Sequence, residues 1–118
     1  MKISKDELTK PVVKKKDGKF ATLKEVLEKK IIIKNDMSSG DYRDLSIARY
    51  KMMDPNKAIS IGGTSYTKNR IIKEIERQTE VGEKFIGMQV RFVSMLLDKK
   101  NEIEKAWWEK PKILIQSV

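Results

Sequence analysis

The segment from Phe85 to Leu97 constrains the fold most, because it is too apolar to lie on the surface of a small protein. Nine of its thirteen residues are apolar. The polar residues Gly87, Arg91 and Ser94, with Asp98 just beyond the segment, fall on one narrow strip at helical spacing, and Gln89 is the outlier. A helix that is apolar around most of its circumference is buried on nearly all sides.

We predict that this helix runs from about Glu80 to Glu109, because Pro111 ends it. A chain of 118 residues has little else with which to surround it, so a second copy would complete the burial. A central core helix in a monomer is the alternative. The residues predicted for self-association are Val81, Phe85, Met88, Phe92, Met95 and Trp107, of which the first five form a heptad-spaced seam.

Two local signals predict structure near the N-terminus. Asp17-Gly18 lies between short apolar runs, which favours a hairpin; a flexible Lys-rich arm over residues 1–20 is the alternative. Thr22 and Glu25 have the spacing of a capping box and predict a short helix. The β-branched run that follows predicts a buried strand over Lys30–Lys34.

A further helix is predicted to begin near Asp41 and to stop at Asp54-Pro55, because the residue before proline resists helical conformation. Its apolar stripe is predicted to be Tyr42, Leu45, Ala48 and Met52, with Arg43, Arg49 and Lys51 on its flanks. The tail after Pro111 alternates like a strand. Together these elements predict a single α+β domain over residues 1–118, helix-dominated, with small antiparallel hairpins and a long, largely buried C-terminal helix.

The stretch from Ala58 to Gln78 combines a Gly-Gly pair with hydroxyl groups and cations, and it allows two interpretations. A hairpin turned by Gly62-Gly63, followed by a helix capped by Thr67, accounts for the alternation of apolar residues. A phosphate cradle needs the glycines directly at the helix N-terminus, and here a strand intervenes. The strand and two helices are similar in order to ribbon-helix-helix proteins, but glycines inside the strand argue against that architecture.

The charge predicts polyanionic partners. The chain carries 26 Lys and Arg against 17 Asp and Glu, a net charge of +9. A purely compositional origin of this charge, serving solubility, is the alternative. The residues predicted to contact nucleic acid are Lys14, Lys15, Lys16, Lys68, Arg70, Lys73 and Arg77.

The absence of histidine and cysteine limits the catalytic and metal-binding sites that this chain can form. It excludes imidazole-based and thiol-based nucleophiles and the usual zinc sites. The acidic cluster at Asp36, Asp41 and Asp44 does not have the spacing of a calcium loop. We therefore expect no catalytic site, no cofactor, no metal and no small-molecule substrate.

The expected function is that of a small, basic, cytoplasmic binding protein without a membrane span. It self-associates as a homo-oligomer and contacts DNA or RNA. A structural subunit of a larger assembly, such as a virion or scaffold component, is the alternative. An enzyme using carboxylates alone ranks last, because the acids mostly alternate with lysines on predicted helix surfaces.

Overall fold

The computed structural model describes residues 5–28 and 37–99. Its helices are α1 (Lys5–Leu8), α2 (Leu23–Leu27), α3 (Ser39–Lys51), α4 (Lys68–Glu76) and α5 (Glu80–Asp98). Its strands are β1 (Pro11–Lys14), β2 (Phe20–Thr22), β3 (Ala58–Ile61) and β4 (Thr64–Thr67). The strands form two separate antiparallel hairpins, so the predicted helix-dominated α+β fold is confirmed.

The first hairpin pairs β1 with β2 around the predicted Asp17-Gly18 turn. The Asp17 carboxylate accepts a hydrogen bond from the Lys19 amide at 2.9 Å, and Gly18 has φ +90°, which favours glycine. The register shifts between Pro11 and Val13, as in a β-bulge. Because a bulge breaks the alternation of side chains, the neighbours Val12 and Val13 are both buried.

Capping boxes start the next two helices. Thr22 and Glu25 form the predicted box before α2, and Ser38 with Asp41 forms a second box before α3. Each box satisfies backbone amides that the first helical turn leaves without a partner. The strand predicted over Lys30–Lys34 lies outside the described residues.

The buried face of α3 differs from the predicted stripe. Leu45 is buried as predicted, but Ala48 is only half-buried and Met52 is exposed. The face turned inward is Asp41, Leu45, Ser46, Arg49 and Tyr50. Polar partners explain this rotation: Asp41 binds Lys14 of β1 at 2.7 Å, and Arg49 bonds to residues of three other parts of the chain.

The second hairpin confirms the Gly62-Gly63 turn. These glycines have φ 57° and 81°, which a primed two-residue turn requires. Ile59 pairs with Tyr66, whose ring is buried. Thr67 then caps α4 through its hydroxyl group, and a strand separates the glycines from the cap. The pairing of β3 with β4 inside one chain also differs from the ribbon-helix-helix order.

The junction between α4 and α5 depends on a glycine. Gln78 has φ 57°, and Thr79 caps α5. A Cβ atom built on Gly82 would lie 2.2 Å from the Glu74 carbonyl oxygen, so only glycine allows the two helices to approach this closely.

Two hydrophobic clusters are joined by α3 and α5. The first cluster contains the β1–β2 hairpin, α2, Leu45, Val93 and Leu96. In the second, the Phe85 ring lies edge-on to Tyr50 and Tyr66, with centroids 5.8 and 5.4 Å away. Because α5 contributes to both clusters, most of its residues are buried or half-buried.

The helix α5 ends at Asp98, with Lys99 as its C-cap, and not at Glu109 as predicted. The predicted polar strip holds, since Arg91, Ser94 and Asp98 are exposed and Gly87 is half-buried. Residues from 100 onward, including the strand-like tail, lie outside the described part.

Candidate functional site

The outer face of α4, together with its C-cap residue Arg77, carries three of the predicted nucleic-acid contacts. Arg70, Lys73 and Arg77 are exposed, while Ile71 and Ile75 on the opposite side are completely buried. The spacing of three and then four residues places the three cations on one side of the helix. The apolar face anchors α4 in the second cluster and fixes the direction in which the cations project.

Two contacts orient Arg70. Its Nε donates a hydrogen bond to Glu74 Oε2 at 3.1 Å, and its guanidinium carbon lies 5.6 Å from the centroid of the Tyr66 ring. Glu74 also accepts a hydrogen bond from the Thr79 hydroxyl at 2.7 Å. The Thr79 bond first, and then Arg70, lower the pKa of Glu74 below its ordinary value. This carboxylate offsets part of the Arg70 charge.

The lysine run of the first hairpin has a different role. Lys14 forms an ion pair with the buried Asp41 at 2.7 Å, and Lys15 lies 3.8 Å from Glu25. Lys16 is exposed. Because this hairpin packs in the first cluster and α4 packs in the second, no single element organises all seven predicted cations. Lys68, the first residue of α4, is half-buried.

The predicted self-association seam is used mostly inside the chain. Phe85 is completely buried between two tyrosine rings, so it is not available to a second copy, contrary to its place in the seam. Val81 and Met88 pack against the second cluster, and Met95 packs against the first. Phe92 is exposed by 37%. Trp107 lies outside the described residues.

A cleft of about 720 Å³, which the sequence did not predict, lies between α1, the end of α3, β3 and α5. Its wall contains Arg49, whose side chain is only 3% exposed. The guanidinium donates to Gln89 Oε1 at 2.7 Å, to the Pro11 carbonyl at 2.8 Å and to Glu7 Oε2 at 2.9 Å. One buried side chain thus joins three parts of the fold.

Glu7 supplies the counter-charge for this arginine. Its Oε1 accepts a hydrogen bond from Lys10 at 2.9 Å while its Oε2 binds Arg49. Burial raises the pKa of Glu7, but the bonds from Lys10 and Arg49 and their positive charges outweigh burial, and the net pKa is lowered. The carboxylate is therefore ionised near neutral pH.

Tyr50 completes the inner wall of the cleft. Its hydroxyl donates a hydrogen bond to the Phe85 carbonyl at 2.9 Å. Burial raises the pKa of this hydroxyl, while a hydrogen bond with Gln89 and the charge of Arg49 act in the opposite direction. The group therefore stays protonated near neutral pH and acts as a structural donor.

Two large, exposed apolar side chains line the cleft. Met52 is 47% exposed and Phe92 is 37% exposed, and the Arg49 guanidinium carbon lies 5.5 Å from the Phe92 ring centroid. The cleft was not predicted from the sequence, because Arg49 was expected on the solvent-facing flank of α3. The available signal was the spacing, since Arg49 follows the core residue Leu45 by one helical turn.

Neither a membrane-spanning helix nor a metal site is found in residues 5–28 and 37–99. No helix there has both the length and the apolar character to cross a bilayer. Over the same residues, no three acidic side chains come together as metal ligands would. Comparisons with protein-family models, with curated proteins and with solved structures find no match for this chain.

Proposed function

We propose that this protein is a non-enzymatic, cytoplasmic nucleic-acid-binding protein that uses the outer face of α4. The observation that carries the proposal is the set of exposed cations Arg70, Lys73 and Arg77 on one side of a helix whose other side is buried. Cations carried by a packed helix bind phosphates with a smaller loss of backbone freedom than cations on a mobile arm. The net charge of +9 adds long-range attraction for DNA or RNA.

The expected interaction is with the sugar-phosphate backbone. The proposed contacts are cationic side chains, which position a nucleic acid without reading its bases. Binding should therefore depend weakly on sequence and strongly on salt. For duplex DNA, each neutralised phosphate contributes about −0.9 to the slope of log affinity against log salt concentration.

The test compares two variants that lose the same charge. Lys73→Gln with Arg77→Gln removes two cations from α4, and Lys84→Gln with Arg91→Gln removes two exposed cations from α5. Fluorescence anisotropy with labelled duplex DNA and RNA is measured over a range of salt concentrations. We expect the α4 variant to bind more weakly, and its slope of log affinity against log salt concentration to be smaller in magnitude by about 2. The α5 variant should stay close to the wild type in both quantities.

Two results would contradict the proposal. Absence of binding to either polymer at low salt would exclude the function. Equal losses in the two variants would show that the charge acts only through composition and that α4 is not the interface.

Self-association is the second part of the proposed function. The observation that favours it is that the exposed residues Met52 and Phe92 line one cleft, since exposed apolar residues that gather at one place are typical of a contact site. Light scattering should give a mass that rises with concentration, and a strict monomer would contradict it. Self-association without any nucleic-acid binding would favour the alternative, a structural subunit of an assembly.

A further inference from the structure

The exposed large apolar residues of the described chain lie together. Met52, at the end of α3, and Phe92, on α5, are distant in sequence but line the same cleft. The half-buried Met53 and Ile59 extend this apolar surface toward β3. Exposed apolar residues that gather at one place mark a contact site more strongly than scattered ones.

The charges around this surface are balanced, unlike those of the whole chain. The cleft is lined by Asp6, Glu7 and Asp54 and by Lys10, Arg49 and Lys57, three charges of each sign. Two copies of a chain with a net charge of +9 repel each other in general. A neutral patch with an apolar centre reduces that repulsion where the copies meet.

Asp54 and Lys57 have the arrangement that a two-fold contact needs. Glu7 is not part of this arrangement, because it is already bonded to Lys10 and Arg49 inside the chain. Asp54 and Lys57 are exposed, and they belong to a turn in which the Lys57 amide donates to the Asp54 carbonyl at 3.1 Å. In a two-fold dimer, residue i of one copy meets residue j of the other and the reverse contact also forms. Neighbouring charges of opposite sign are therefore self-complementary.

We propose that a second copy of this chain docks on the cleft through a two-fold contact. Phe92 and Met52 of each copy pack into the cleft of the other, and Asp54 of each copy pairs with Lys57 of the other. The inference rests on the proposed self-association and locates its surface. Nucleic acid is not the favoured occupant, because its phosphates would meet Asp6 and Asp54 in a cleft without net positive charge.

Reversal of one charge at a time tests the paired contact. Asp54→Lys leaves only cations at this turn, and Lys57→Asp leaves only carboxylates. Each variant alone would place like charges opposite each other twice in the dimer. We expect the dissociation constant of each to rise by about tenfold or more. An equimolar mixture should recover dimers of one copy of each variant, measured by sedimentation velocity with one variant carrying a fluorescent label.

A second pair of variants tests the apolar centre. Phe92→Ser should weaken the dimer at least as much as charge reversal, because an aromatic side chain at an interface centre carries much of the binding energy. Arg91→Gln is the matched control, since it changes an exposed neighbour that does not line the cleft. Circular dichroism checks that each variant is folded.

The possible results separate this inference from the proposed function. Wild-type protein that stays monomeric at millimolar concentration would overturn both the cleft contact and self-association. Dimers that persist unchanged in Phe92→Ser and in both charge variants would overturn the cleft and leave self-association standing. Loss of dimers in the single variants without recovery in the mixture would overturn the Asp54–Lys57 pairing. Loss of Phe92→Ser dimers with recovery in the mixture supports the whole inference.

Discussion

Arg49 shows how one buried charge can hold separate segments together. It bonds to α1, β1 and α5, and it lies against the Phe92 ring. Burial of a guanidinium group is costly unless its donors find partners, and here three of its N–H groups have them. These bonds of Arg49 therefore attach the N-terminal segment to the helices, and replacing Arg49 should weaken that attachment.

Arg49→Met is expected to reduce the free energy of unfolding by about 1–3 kcal/mol, because the Pro11 carbonyl and Gln89 Oε1 lose their donor and the Glu7 carboxylate keeps only its bond from Lys10. Urea unfolding followed by circular dichroism measures the change. Replacing Glu7 by Leu in the same chain should recover part of the loss, because it removes the half-buried carboxylate that has lost its Arg49 partner. A loss below about 0.5 kcal/mol in the single variant would contradict a stabilising role for this network.

Gly82 and Gly87 provide a matched pair of glycines in α5. A Cβ on Gly82 would lie 2.2 Å from the Glu74 carbonyl oxygen, whereas one on Gly87 would meet only the end of the Arg91 side chain, at 3.3 Å. We expect Gly82→Ala to destabilise the fold by about 1–3 kcal/mol, as overpacking does. Gly87→Ala should stabilise it by up to about 1 kcal/mol, since alanine favours helix and Arg91 can move. Thermal unfolding of both variants checks the opposite signs, and equal effects would exclude the close helix contact.

At the scale of elements, the sequence predicted the features that depend on near neighbours. The Thr22–Glu25 box, the Thr67 cap and the turns at Gly18 and Gly62-Gly63 all appear where they were expected. Each is fixed by residues a few positions apart, so its signal lies within a short window. The capping box at Ser38 was not predicted beyond a helix start, although Asp41 follows at the right spacing.

Features that depend on distant residues were predicted less well. The buried face of α3 is set by Lys14 and by the partners of Arg49, which are far away in sequence. A hydropathy pattern within α3 cannot reveal them, because it counts Arg49 as a surface residue. The cleft that Phe92 lines also depends on residues far apart in sequence, since α1, α3, β3 and α5 each contribute to it.

The second hairpin gives a prediction about backbone conformation. Gly62 has φ 57°, a value that asparagine tolerates and β-branched residues avoid, and a Cβ there would meet no other atom within 4 Å. We expect Gly62→Asn to leave the free energy of unfolding within about 0.5 kcal/mol, and Gly62→Val to lower it by about 1–2 kcal/mol. Urea unfolding measures both. Equal tolerance of asparagine and valine would contradict the left-handed turn.

At the scale of the whole molecule, charge is distributed unevenly. The α4 face presents Arg70, Lys73 and Arg77, while the cleft beside Phe92 carries balanced charges. The two surfaces share no residue, so the proposed contact in the cleft uses none of the α4 cations. A dimer would then offer two cationic faces to one nucleic acid, and joining two sites raises the overall affinity. Phe92→Ser should accordingly weaken nucleic-acid binding indirectly, without changing the α4 contacts themselves.

The stability of the whole fold is expected to fall in acid, because Glu7 and Glu74 both have lowered pKa values. A carboxyl group with a lowered pKa in the folded state binds protons more readily when the chain is unfolded. Its stabilising contribution is fully present above the ordinary value of 4.5 and is lost as the pH falls through the folded pKa. Urea unfolding between pH 7 and pH 3 should therefore show a nearly constant free energy down to about pH 5 and a decrease below it. Glu7→Gln should be less stable at pH 7 and should lose less on acidification, and an unchanged pH profile in that variant would mean that Glu7 does not couple protonation to folding.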